Sequence, residues 1–456
     1  MKVRLGAEDL GIANQRKTDG GLHLGHGYDP LAGSFGPRNL SSTAGGDTMA
    51  RPQATPESPG SRALVVDLIR SAGPISRTEL TTATGLTQPA ISLIVRKLLD
   101  DEVIIEAGTV PSTGGKPRRL LDINRRARHG VGVQLGFESM TLVATDTNGG
   151  VVARERLPGA GTDQPSSVIE RLSQSLRAFM AAADIPAASV EGVAVVLPGP
   201  MRTDPGTIIE APTLPHWRDV ALRSDLEASL RMPVLVDNDA SAAALGEFWS
   251  RGVSRYHAFA CVYIGSGIGA GVVVDGALFR GSSSNAAELG HITIDPAGPE
   301  CFCGNVGCLE AVAAPRAVVA RALSEHATRE SLDLDRRATV AQNWEILSRA
   351  AIEGHPQAEA LLAQSARSVA GATLTLTNLF DLDEIVLSGP GVATAGSIFV
   401  RQVRKALSRA FSRKAHPTSV ELSINPTDSA AIGAAALTLQ GQLAPGHGPA
   451  LRFAGP

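Results

Sequence analysis

The chain has 456 residues, 43% of them hydrophobic, with 42 basic against 45 acidic side chains and a formal charge of −3. At roughly 100–200 residues per domain this length provides for two to four domains, and a charged fraction of 19% beside that apolar content excludes a wholly disordered chain. Four cysteines exclude a disulfide scaffold, and three of them, Cys301, Cys303 and Cys308, crowd into eight positions, as metal ligands do in a reducing compartment.

Residues 1–60 are rich in Gly, Ser, Pro and Thr without an apolar period and read as a disordered extension, with Met49 as an alternative start of translation. No run of about 18 apolar residues occurs, and Lys2, Arg4, Glu8 and Asp9 break the apolar core a secretory signal needs. A cytoplasmic protein is expected.

At Ser61 the pattern changes. Leu64, Val65, Leu68 and Ile69 are spaced as one face of a helix that stops near Gly73 and Pro74. Ser76 and Glu79 have the Ser-x-x-Glu spacing of a capping box, which predicts a short second helix ending at Gly85. Thr87 is placed to cap a third helix, with Pro89 in its first turn, where amide donors lack intrahelical acceptors. Ile91, Ile94, Val95, Leu98 and Leu99 form its apolar stripe, and Gln88, Ser92 and Arg96 its opposite face. Two β-like runs follow, 103–106 and 119–123, around a turn at 111–117.

Three helices and a ribbon read as a winged helix-turn-helix over residues 61–128. Between Arg62 and Arg128 there are 11 Lys and Arg against 7 Asp and Glu, so this module carries about +4 and the rest of the chain about −7. The basic module is the expected DNA contact: Thr87, Gln88, Ser92 and Arg96 toward a major groove, and Lys116, Arg118 and Arg119 of the wing toward phosphates. For any one of these residues a solvated polar face is the plainer reading; spacing, ribbon and local charge together favour DNA.

From about 130 to 439, β-like runs (131–135, 192–196, 234–236, 258–264, 271–274 and 384–387) alternate with helical stretches. This predicts an α/β domain over 129–440, in two lobes, ahead of a loose tail at 441–456.

His291, followed after nine residues by Cys301, Cys303 and Cys308, supplies four soft ligands suited to a closed, structural Zn²⁺ site. Three thiols packed as small hydrophobes, or oxidisable thiols, are the alternatives; Cys261, on an apolar run, reads as core. Around this loop stand Asn238, Asp239, Glu288 and Glu310, groups that pair with hydroxyls. On spacing alone helix caps and surface acids explain them better. Gly265-Ser-Gly267-Ile-Gly269 fits a backbone approach to phosphate and a tight hairpin equally, and Ser388-Gly389-Pro390-Gly391 shares the ambiguity.

Taken together, Leu197-Pro-Gly-Pro200, Val236-Asp-Asn-Asp-Ala240, Gly265 to Gly269, Glu288-Leu-Gly-His291 and the Cys-x-Cys-Gly-x-x-Gly-Cys-x-Glu run ending at Glu310 resemble the ROK family (repressors, open reading frames, sugar kinases), in its regulator branch with an N-terminal winged helix. The resemblance implies a two-lobed, actin-like (ribonuclease H-like) sugar-kinase fold with a sugar between the lobes. It further implies that Asp239 stands at the position of the kinases' general base, that Asn238, Glu288, His291 and Glu310 hold sugar hydroxyls, and that zinc supports the loop.

Two departures stand out. Kinases of the family carry Asp-x-Gly-Gly-Thr after the opening strand, whereas this chain has Gln134-Leu-Gly136-Phe137-Glu138. Gln134 lacks the charge that helps place Mg²⁺, Phe137 is bulky and Glu138 repels phosphate. The second is Thr213, where many members have Asn. The resemblance therefore implies a protein that is not an enzyme: a sugar-responsive repressor of carbohydrate-utilisation genes, binding operator DNA as a homodimer or homotetramer with a sugar or sugar phosphate as effector. A sugar kinase with an appended DNA-binding domain is the alternative. A constitutive DNA-binding protein that uses its kinase-like part only to dimerise has no need of the filled set Asn238, Asp239, Glu288, His291 and Glu310.

Overall fold

The computed structural model describes residues 59–111, 117–202, 206–211, 213–251 and 258–443. Residues 1–58 of the expected extension, the wing residue Lys116 and the tail after Leu443 lie outside them.

The N-terminal module comprises α1 (Pro59–Ala72), β1 (Ile75–Ser76), α2 (Arg77–Thr84), α3 (Gln88–Asp100), β2 (Ile104–Val110) and β3 (Arg118–Ile123), with an antiparallel sheet in the order β1-β3-β2. The predicted capping box forms: Glu79 N donates to Ser76 Oγ at 3.3 Å and Ser76 N to Glu79 Oε2 at 2.8 Å, meeting two of the donors a helix start leaves free. Thr87 occupies the N-cap of α3, but its side chain makes no capping hydrogen bond, unlike the sequence expectation. Val65, Ile69, Leu80, Ile91, Val95, Leu98 and Leu121 are the buried centre. β2 runs four residues past the predicted stretch because it pairs along one edge only and its outer residues are exposed, so they need no apolar signal.

The first lobe follows with β4 (His129–Leu135), β5 (Ser139–Asp146), β6 (Val151–Pro158), α4 (Pro165–Ala182), β7 (Val190–Leu197), the small antiparallel sheet of β8 (Met201–Arg202), β9 (Thr207–Glu210) and β10 (Arg218–Val220), then α5 (Leu222–Leu230) and β11 (Val234–Asn238). Its main sheet has the order β11-β7-β4-β5-β6, parallel from β11 to β4 and antiparallel beyond. α6 (Asp239–Arg251) leads into the second lobe: β12 (Ala258–Ile264), β13 (Ile268–Val274), β14 (Ala277–Leu278), α7 (Leu309–Ala313), α8 (Pro315–Ser324), α9 (His326–Ser331), α10 (Val340–Ile352), α11 (Pro356–Phe380), β15 (Glu384–Ser388), α12 (Gly396–Arg409) and β16 (Ser419–Leu422). This sheet runs β14-β13-β12-β15-β16.

The last helix, α13 (Ser429–Leu443), returns to cover the first sheet and crosses α6. The crossing needs glycine: a Cβ on Gly433 would lie 1.7 Å from the Ala242 carbonyl oxygen, well inside contact distance. Among the described residues no helix is long and apolar enough to cross a membrane.

Candidate functional site

β11 ends and α6 begins where the two lobes meet, so the turn between them presents Asn238 and Asp239 to a cleft also lined by Thr213, Tyr263, Glu288, His291, Phe302 and Glu310. The predicted cleft residues Asn238, Asp239, Glu288, His291 and Glu310 are thus brought together from three separate segments. Asn238 Oδ1 accepts from the N–H groups of Ala240 at 2.9 Å and Ser241 at 3.0 Å, capping α6. Asp239 Oδ1 accepts from Ala240 N at 2.9 Å.

Part of Asp239 faces the cleft, but its carboxyl is otherwise ringed by protein. Loss of hydration pushes its pKa up to about 7; the bond from Ala240 opposes this, while the carboxylates of Glu310 and Glu288 add to it. A carboxyl so tuned carries a mixture of both protonation states at neutral pH.

Glu310 is buried. Its Oε2 accepts from Ile268 N at 3.1 Å and its Oε1 from Arg316 Nη2 at 3.1 Å. A Cβ on Gly267 would lie 2.3 Å from Glu310 Oε2, so a larger residue in this turn would displace that carboxylate. The Gly265–Gly269 run is accordingly the tight hairpin between β12 and β13, closed by Gly265 N donating to Gly267 O at 2.9 Å.

The thiols gather beside the cleft. One ligand atom from each of His291, Cys301, Cys303 and Cys308 falls within 4.8 Å of all the others, with Cys301 Sγ 3.7 Å from His291 Nδ1 and Cys303 Sγ 3.6 Å from Cys308 Sγ. Tetrahedral zinc, with Zn–S near ~2.3 Å and Zn–N near ~2.0 Å, separates its ligand atoms by about 3.5–3.8 Å, so the four residues fit a metal of that size. Phe302, between two of the cysteines, is 51% exposed; it meets His291 edge to face at 5.1 Å, and the Arg316 guanidinium lies 5.9 Å from its ring centroid. Cys261 is fully buried on β12, as its apolar surroundings predicted.

The segment that departs from the phosphate loop is engaged across the cleft. Gln134 Nε2, on β4, donates to Tyr263 Oη, on β12, at 2.5 Å. Burial, reinforced by nearby Asp239, pushes the Tyr263 phenol up, so it stays protonated. Glu138 Oε1 accepts from Ala341 N at the start of α10, at 3.4 Å. Phe137 is exposed.

On the module's α3, Thr87, Gln88 and Arg96 are exposed and Ser92 is half-buried. In the wing Arg118 and Arg119 are exposed, but Arg119 Nη1 pairs with Glu106 Oε2 across the ribbon, which leaves less of its charge for a phosphate. Sequence reasoning missed Tyr263, Phe302, Arg316 and the pair of buried Asp237 with half-buried Arg280, joined at 3.1 and 2.6 Å. The inward position of Asp237 on β11 was a usable signal; nothing in the sequence marks Arg280, 43 residues away.

A small module of three helices and a three-stranded sheet on a two-lobed, actin-like α/β body, with a polar cleft between the lobes and a thiol cluster against it, defines the class of protein. The chain belongs to the ROK family, whose model matches residues 130–441. It is 26% identical over 374 residues to the xylose repressor of Caldicellulosiruptor bescii, covering 81% of this chain and 92% of that one. A crystal structure of a ROK family transcriptional regulator, a homologue of the E. coli MLC protein, matches with a TM-score of 0.66 at 26% identity over 84% of this chain and 96% of its own. The ROK family glucokinase of Streptomyces griseus, solved with glucose and AMPPNP, matches with a TM-score of 0.59 at 26% identity, covering 100% of its own chain but 69% of this one. The kinase therefore accounts for less of the molecule than the regulator does.

Proposed function

We propose that the protein is a sugar-responsive, DNA-binding transcriptional repressor, which reads DNA through residues 61–128 and binds its effector in the cleft of residues 129–440. The observation that carries this reading is the different fate of the two halves of the cleft. The hydroxyl-binding groups are present and assembled, whereas Gln134, at the position of the kinase aspartate, is bonded to Tyr263 in the other lobe. Efficient phosphoryl transfer has no place for its Mg²⁺ there.

Within the cleft Asp239 accepts effector hydroxyls. Asn238, whose Oδ1 is committed to α6, donates through its amide nitrogen. If zinc takes His291 Nδ1, the ring's other nitrogen is left for a hydroxyl. Glu288 accepts at the rim, and Glu310, both of whose oxygens already accept bonds, positions the hairpin as much as the sugar. Zinc, held by His291, Cys301, Cys303 and Cys308, supplies rigidity and not chemistry, since four protein ligands leave no open position. On the module, Thr87, Gln88, Ser92 and Arg96 approach base edges; Arg118 and Lys116 approach phosphates, with Arg119 secondary. Two-fold operators make a dimer the minimal assembly.

Fluorescence anisotropy on DNA from the protein's own upstream region tests this reading. D-Xylose, D-glucose or a phosphate of either is expected to shift operator affinity at least tenfold, with no sugar-dependent ADP release from MgATP. Operator affinity indifferent to all of them would refute the sensor, and ADP release abolished by Asp239→Asn would favour a kinase. In the same assay Arg96→Ala is expected to cost about 1–3 kcal/mol of operator affinity and to relax the preference at one base pair.

A further inference from the structure

We infer that α6 is a rigid rod that carries the state of the cleft to the winged helix, and that Arg70 and Trp249 are its coupling to that module. The inference rests on the effector reading above for what loads the rod, and on independent contacts for the rod itself.

One end of α6 is the cleft: Asp239 is its first residue and Asn238 its cap. The other end grips the module. Arg70, in the last turn of α1, donates from Nη1 to the Trp249 carbonyl at 2.6 Å, and its guanidinium lies 5.0 Å from the centroid of the Trp249 ring. Trp249 is third from the end of α6, where carbonyls have no partner within the helix. A guanidinium there satisfies one of them and complements the partial negative charge at both helix C-termini. The Arg70 side chain is 3% exposed, with Asp67 Oδ1 3.6 Å from its Nε. Val66, Phe248 and Leu443 line the same junction, and the apolar core runs unbroken from α1 and α3 into α6 and α13.

Between its ends α6 has no slack. A Cβ on Gly271 would lie 2.6 Å from the Ala244 methyl, and Gly433 meets Ala242 on the other side. An element packed this closely on both flanks moves as a body and does not deform locally. Thirteen residues at ~1.5 Å each span about 20 Å, so a change at Asp239 arrives at Trp249.

The full-length chain tests the coupling by a double-mutant cycle on operator affinity, with Asn238→Ala at one end and Arg70→Met at the other. Sites this far apart without a shared partner have nearly additive effects unless something couples them. The expected result is that Asn238→Ala shifts operator affinity at least fivefold beside Arg70 but less than twofold in the Arg70→Met background. An equal factor in both backgrounds overturns the proposal. Arg70→Lys, which keeps the charge but loses the stacked fork, guards against a folding defect and is expected to fall between the two. Hydrogen exchange in α1 reads the same cycle without DNA. D-Xylose is the separate effector arm: if it leaves wild-type operator affinity unmoved, the effector assignment suffers while the cycle still decides the rod.

Discussion

Replacing Cys308 with serine is expected to remove stoichiometric zinc from the purified protein, to lower its Tm by about 6 °C, and to weaken sugar binding in the same step. Cys308 is fully buried at the N-cap of α7, and its sulfur lies 3.6 Å from that of Cys303. A serine there leaves three soft ligands and a buried hydroxyl, and the binding free energy of a structural metal is folding free energy. If about 4 kcal/mol is lost, a domain of about 310 residues gives up roughly 1.5 °C for each kcal/mol. Sugar binding follows because the loop from His291 to Cys308 joins the cleft residue His291 to α7, where Glu310 lies two residues beyond Cys308. Metal analysis with calorimetry checks this. Full metal content at an unchanged Tm would show that the four residues are merely neighbours, and prolonged chelation of the wild type should reproduce the variant.

The cluster of His291 with three cysteines was legible because its chemistry is local: three thiols in eight positions with a histidine ten residues upstream form one short sequence signal. The module was legible because capping and turn signals at Ser76, Glu79 and Gly85 are short-range. β5 and β6 were not. β5 is buried on both faces over most of its length, so it lacks alternation, while β6 is an exposed edge strand whose Arg154, Glu155 and Arg156 give no apolar signal. For Asn238 the sequence offered two readings, helix cap and hydroxyl ligand, because an Asn that starts a helix and one that binds a hydroxyl look the same; this one caps α6 while lining the cleft. Partners that fold topology alone brings together, such as Gln134 with Tyr263 or Arg70 with Trp249, are separated by 129 and 179 residues and leave no periodic trace.

Asp239→Asn is expected to raise the stability of the sugar-free protein and to weaken its binding of sugar. An unfolded aspartate titrates near ~3.9, and in the fold Asp239 titrates at about 7. Between those values the folded chain holds a proton that the unfolded chain has released, so stability falls as pH rises from about 4 to about 7 and is level above. At about 1.36 kcal/mol per unit of pKa difference, the strain of the buried charge amounts to a few kcal/mol at pH 8. The asparagine variant does not carry that strain. Its Tm without sugar should exceed that of the wild type at pH 8 and approach it near pH 4, as scanning calorimetry at both pH values would reveal. With sugar that gap narrows, because hydroxyl donors need the carboxylate as acceptor and the wild type gains more from the ligand. A hydrogen bond to a charged group is worth about 1.5–3 kcal/mol, so the substitution should weaken effector binding by roughly 10- to 100-fold at pH 8, and wild-type affinity should climb as pH passes from 6 to 8. An effector affinity that is flat over this range and unchanged by the substitution would remove Asp239 from the sugar site.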